Sequence, residues 1–165
     1  PYDDPYELGG EVRFLQAPPR SDMLAASNIA LGQGESPFIH LLSVGMAVTP
    51  QWADRALARF ADPHIAAVAP LIYDVADQTT ILSGGWEYDR SGGPWQLGAT
   101  ELNGHDQRES EVLPLQKKSA GRSIIGPLYQ AAFYRTMALE LLGGRLPTAC
   151  GTTWSDVDLG LMLHY

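Results

Sequence analysis

The feature that most constrains this chain is an alternation of short apolar runs with a helical one. Phe38-Ile39-His40-Leu41-Leu42 is short and apolar, as a strand buried on both faces of a parallel sheet has to be. Thr49 before Pro50 marks a helix start, and Trp52, Ala56, Leu57 and Phe60 then recur at helical spacing. Residues 65–72 form a second buried run. Strand, helix and strand in this order predict an α/β fold with a mostly parallel central sheet covered by helices. Function in such a sheet gathers beyond the carboxyl ends of the strands, and residues 43–46 follow one of those ends directly.

The flanking segments fill in the same picture. Residues 11–16 alternate loosely as a strand does, and Pro18-Pro19 ends it. Ser21 is placed to cap a helix running through Leu31, with Gly32 and Gly34 as its stop signal. Residues 73–118 differ: rich in glycine and polar residues, with Trp86, Tyr88, Trp95 and Leu97 scattered among them, they predict a loop-rich or short antiparallel excursion. Its aromatic residues could form a sugar platform, because an aromatic face packs on the apolar face of a pyranose. The plainer reading is a small core beneath a long loop. A chain of 165 residues, 45% hydrophobic and 18% charged, can bury one core, so residues 1–165 are expected to form one domain.

Charge narrows the partners. A net charge of −8 argues against nonspecific attraction to nucleic acid or an anionic membrane surface. Cys150 is the sole cysteine and cannot form an internal disulfide, and no cleavable signal peptide or long apolar run is visible. A cytoplasmic setting is expected.

The chemistry concentrates near the end of the chain, in Thr152-Thr153-Trp154-Ser155-Asp156-Val157-Asp158-Leu159. Two carboxylates two residues apart stand there where a helix is expected to begin. Thr153 with Asp156 three positions later fits a capping box, which accounts for one aspartate more easily than for two. Elsewhere the signals are weaker. His40, His64, His105 and His164 have no ligand-like spacing, and His40 reads as a core residue of its strand. Lys117, Lys118, Arg122 and Arg135 are the cations that could face a diphosphate, with ordinary solvation as the alternative for each and the favoured role for the lysine pair. Ser83-Gly84-Gly85 and Ser91-Gly92-Gly93 lack the lysine of a phosphate loop and read as turns, and no nucleophile elbow is present.

In order and spacing, these pieces resemble a family 2 glycosyltransferase. The resemblance rests on the Asn28 helix closing near Gly32, the strand at 38–42, the Pro50-Gln51-Trp52 helix start, Gly126-Pro127-Leu128-Tyr129 continuing to Arg135, Gly143-Gly144, and the acidic Asp156-Val157-Asp158-Leu159. It implies a partial GT-A domain, three-layered, that moves a sugar with inversion from a nucleotide-sugar donor to a hydroxyl of a glycan or lipid-linked acceptor. It makes Asp156 the general base. Asp158 would cap or orient the helix start and, with Trp154, stand at the substrate. Asn28 would bridge neighbouring loops, unless it is simply a polar group on a helix surface.

Two departures from the family pattern bear on mechanism. Ser43-Val44-Gly45 falls where an Asp-x-Asp turn would face a magnesium or manganese ion, so both metal-facing carboxylates are missing. Hard cations prefer carboxylate and phosphate oxygens, and metal binding of the usual kind is not expected. Ser43 and the backbone of Gly45 are left to meet the donor. The nucleotide-holding strand, helix and strand that open the family's domain would precede Pro1, which suggests an excerpt of a longer protein, inactive by itself. The alternatives are a noncatalytic relative that binds a glycan or a partner protein, and a structural domain of a larger synthase.

Overall fold

The computed structural model describes residues 12–77, 80–88, 94–96, 112–114 and 124–164. In chain order the elements are α1 (Met23–Leu31), β1 (Phe38–His40), α2 (Trp52–Arg59), β2 (Ala67–Pro70), β3 (Ile72–Tyr73), β4 (Ile81–Ser83), β5 (Trp86–Tyr88), β6 (Pro94–Gln96), β7 (Val112–Pro114), β8 (Ile124–Gly126), a 3-10 turn (Tyr129–Ala131), β9 (Phe133–Arg135), α3 (Thr136–Leu141) and α4 (Gly151–Met162). The fold is mixed α/β.

The largest sheet has the order β1-β9-β2-β7, beside a β3-β4 pair and a three-stranded sheet ordered β6-β5-β8. All six ladders among the described residues are antiparallel, where the alternation of strand and helix led to an expectation of mostly parallel pairing. The reason lies in β9. Both β1 and β2 oppose it, so they run parallel to each other at one remove. The crossover through α2 thus returns a strand in the expected direction one position too far away, and β9 fills the gap. The hairpins of β3 with β4 and of β5 with β6 match the short antiparallel excursion expected for that stretch.

The core follows from strand periodicity. Ala67, Val68 and Ala69 of β2 are all buried. Val68 and Phe133 join Ala56, Phe60 and Ile65 on the α2 side. The alternate residues Ala67 and Tyr134 join Leu24, Leu139, Leu146 and Leu159, contributed by α1, α3, α4 and the loop between the last two. The central sheet is therefore covered on both faces. Fully burying each such leucine stabilises by about 1.5–3 kcal/mol.

Local details differ from the sequence expectations in instructive ways. Asp22, not Ser21, caps α1, accepting the Ala25 N–H at 2.8 Å. Residues 12–16 make no strand. Gly143 and Gly144 do form the expected turn, with φ of +99° and +71°. Their N–H groups bond the carbonyls of Glu140 and Leu139, a Schellman closure of α3. Arg135 is not a free cation: its guanidinium donates to the carbonyls of Phe60, Ile65 and Asp62 and lies over the Phe38 and Phe60 rings. Lys117, Lys118, Arg122, His105 and Ser91-Gly92-Gly93 lie outside the described residues.

Helix α4 lies directly on β8 at two glycines. A Cβ on Gly160 would sit 2.6 Å from the Ile125 carbonyl oxygen, and one on Gly126 would sit 3.0 Å from the Gly160 Cα. Gly85, at φ +113°, closes the stack from the other side, where a Cβ would come 2.8 Å from the Gly126 carbonyl oxygen. These obstacles are backbone and cannot rotate away. Gly160→Ala is accordingly expected to destabilise the fold by about 1–3 kcal/mol through overpacking, read as a lower urea midpoint. An unchanged midpoint would show that the helix does not lie this close.

Candidate functional site

The glycine contact delivers the acidic motif to the three-stranded sheet. Trp86 on β5 pairs with Gly126 on β8, so its side chain stands beside the place where α4 passes. There its indole Nε1–H donates to Asp156 Oδ2 at 2.7 Å, across 70 residues of sequence. The other oxygen, Oδ1, accepts from the Val157 N–H at 3.0 Å. Trp154 lies next to this pair, its ring centroid 5.8 Å from that of Trp86 and tilted by 52°. Asp156 is only 8% exposed and Trp154 is 44% exposed. The result is a corner with two aromatic walls, one of them open to solvent, and a carboxylate at its base.

Helix α4 starts earlier than expected. Gly151, at φ +64°, is its first residue, and Cys150 precedes it without a side-chain cap. Asp156 therefore stands in the second turn, and the Thr153–Asp156 capping box does not form. Asp158 is likewise inside the helix rather than at its start, which corrects its expected capping role. Two positions beyond Asp156, it falls on a different side of α4.

The 3-10 turn connects this corner to the remaining candidates. Tyr129 donates its hydroxyl to the Ser155 carbonyl at 2.9 Å, and Ser155 Oγ donates to the Pro147 carbonyl, anchoring the residue just before Asp156. On its other side the turn accepts the Ser43 N–H at the Gln130 carbonyl, 2.9 Å away. Ser43-Val44-Gly45 forms a tight turn of its own, closed by the Met46 N–H on the Ser43 carbonyl at 3.2 Å. Gly45 takes φ +89° there, and nothing lies within 4 Å of where its Cβ would be. Val44 at the tip is fully exposed.

Asn28 bridges as the resemblance implied. Its amide donates to the Leu146 carbonyl at 3.1 Å and accepts the Leu146 N–H at 2.7 Å, tying α1 to the loop that leads into α4. His40 is half-buried, stacked on Phe133 with centroids 3.9 Å apart, and burial lowers its pKa to about 4. It is neutral at physiological pH.

Trp86 was legible only as one of the aromatics that could form a sugar platform, and its contact to Asp156 was not. Read from sequence it was one aromatic among several in a glycine-rich excursion, and no local pattern could reveal a partner on a distant helix. The Trp95 side chain and Leu97 fall outside the described residues. Among the described residues no group of His, Cys, Asp or Glu side chains is placed to hold a metal ion, and no helix is long and apolar enough to cross a membrane. Compared with family models, curated proteins and solved structures, the chain finds no match.

Burial raises the Asp156 carboxyl above its ordinary value, an effect that the Trp86 and backbone hydrogen bonds partly offset. Folded protein then binds this proton more tightly than unfolded chain, in which an aspartate titrates near about 3.9. The associated stability is complete below that pH and lost as pH rises through the folded value. Asp156→Asn removes the loss, so the variant is expected to unfold at higher urea than wild type at neutral pH and at the same urea in acid. Equal midpoints at both pH values would mean that the carboxylate is well solvated.

Proposed function

We propose that this chain is part of an inverting family 2 glycosyltransferase domain of GT-A architecture, with Asp156 as the base that takes the acceptor proton. One observation carries the reading: a buried carboxylate, raised in basicity, at the foot of an aromatic corner with an open face. The β1-α2-β2 crossover, the Asn28 bridge and the acidic helix all stand in the chain order that the family resemblance implies. A cytoplasmic setting belongs to the same proposal.

In this mechanism the acceptor sugar lays its apolar face on Trp154 and turns one hydroxyl toward Asp156. The hydroxyl oxygen attacks the anomeric carbon of the donor from the face opposite the leaving nucleoside diphosphate. A carbon–oxygen bond forms to the acceptor as the bond to phosphate breaks, and the hydroxyl proton passes to Asp156. A base helps most when its pKa lies near the working pH, and burial moves Asp156 in that direction. The Ser43–Gly45 turn, tied to the same 3-10 turn, faces the donor.

A divalent cation does not fit the residues of that turn. Ser43, Val44 and Gly45 offer a hydroxyl and backbone groups where magnesium or manganese takes carboxylates, so no step is routed through a metal. The missing acids favour a second reading, a noncatalytic domain that holds a glycan at the same corner. In that case the sugar would bind and nothing would be transferred.

The two readings separate in a transfer assay, with nucleotide sugars and a glycan acceptor, of the longer protein of which this chain would be a part. Asp156→Asn is expected to lower turnover by about 10²- to 10⁴-fold with donor affinity unchanged, the usual effect of losing a positioned base. Asp158→Asn should stay near wild type, and chelation should leave donor binding unaltered. Full turnover by Asp156→Asn would remove Asp156 from the chemistry. Acceptor binding without transfer by wild type would select the noncatalytic reading.

A further inference from the structure

We propose that Trp86 is the positioning residue of Asp156: its indole N–H fixes the carboxylate through Oδ2 and favours the ionised form that accepts a proton. The proposal rests on the reading of Asp156 as a base. Its geometry is independent of that reading. An indole nitrogen can donate a hydrogen bond but cannot accept one. A 2.7 Å contact to Oδ2 therefore strengthens when the carboxyl is charged and weakens when it is protonated. The donor is held by a strand ladder, Trp86 against Gly126 and Gln96, so its direction is set by the sheet rather than by a loose loop.

The consequence is a division of labour around one carboxyl group. Burial pushes the proton on, and the indole hydrogen bond opposes it. Both oxygens accept a hydrogen bond, Oδ2 from Trp86 and Oδ1 from the Val157 N–H, and each keeps a second lone pair for the acceptor proton. The same indole forms the inner wall of the corner against Trp154, so one side chain both lines the corner and holds its carboxylate.

Other ionisable groups surround Asp156. Tyr129 faces it from the 3-10 turn and Tyr134 from β9, and burial raises both phenols far above the physiological range. Asp158 lies on its own helix. Glu87, the neighbour of Trp86 on β5, points to the opposite face of that strand by alternation. A titration felt at Trp86 must therefore be assigned with a control.

The test follows the Trp86 indole ¹H–¹⁵N resonance with pH in the full chain, beside Asp156→Asn. Expected is a single transition in wild type that vanishes in the variant. A transition that persists in Asp156→Asn, or none in wild type, would overturn the proposal without requiring any further variant to fold. Trp86→Phe then removes the donor and keeps an aromatic wall, and the Asp156 carboxyl ¹³C resonance should titrate at higher pH than in wild type. An unmoved titration in folded Trp86→Phe would assign Trp86 a packing role only and overturn the proposal. Failure of the glycosyltransferase reading is distinguishable: it appears as absent transfer by the longer protein of which this chain would be a part, alongside an intact indole response, whereas transfer with a silent indole sinks the positioning role alone.

Discussion

The structure depends on one close approach, that of α4 to β8 through Gly126 and Gly160. Helices usually sit on sheets at the distance set by intervening side chains. Here the Gly160 position is so near the Ile125 carbonyl that no side chain fits between them, and Gly85 admits the neighbouring strand on the far side of Gly126. That approach lets an indole on β5 reach a carboxylate on the second turn of α4. Hydrogen bonds from Tyr129 to Ser155 and between Asn28 and Leu146 then hold the helix start and its leading loop in place.

Much of the secondary structure was legible because its causes are local. The apolar run at 38–42, the helical spacing through Phe60 and the double glycine after Leu142 each carry a signal within a few residues. Sheet pairing was less legible. Nothing in the sequence near β1 or β2 says that β9, more than 60 residues later, inserts between them and makes their parallel relation indirect. The helix boundary at Asp156 was misread for a related reason: Thr153 and Asp156 satisfy the capping pattern, while Gly151 starts the helix one turn earlier through its own left-handed φ.

The site shows the same division. Asp156 stood out by its spacing to Asp158, and Trp154 by adjacency, whereas Trp86 required the folded backbone to find its partner. Arg135 looked available for an anionic ligand in the sequence and is instead consumed by three carbonyls at the turn after α2. Ser83-Gly84-Gly85 read as a turn in the sequence. Gly85 does bend the chain, yet the close contact of Gly126 and Gly160 is a packing demand that no turn signal encodes.

Burial of Asp156 works against its charged form, and perturbed carboxyls of this kind cluster at functional sites. The most direct measurement is a crystal structure of the protein with an acceptor sugar bound. The expected result is a pyranose face on Trp154 with a hydroxyl about 2.6–3.2 Å from Asp156, within proton-transfer reach. A sugar seated elsewhere, or at Trp154 with every hydroxyl turned away from the carboxylate, would contradict the assignment of Asp156 as the base.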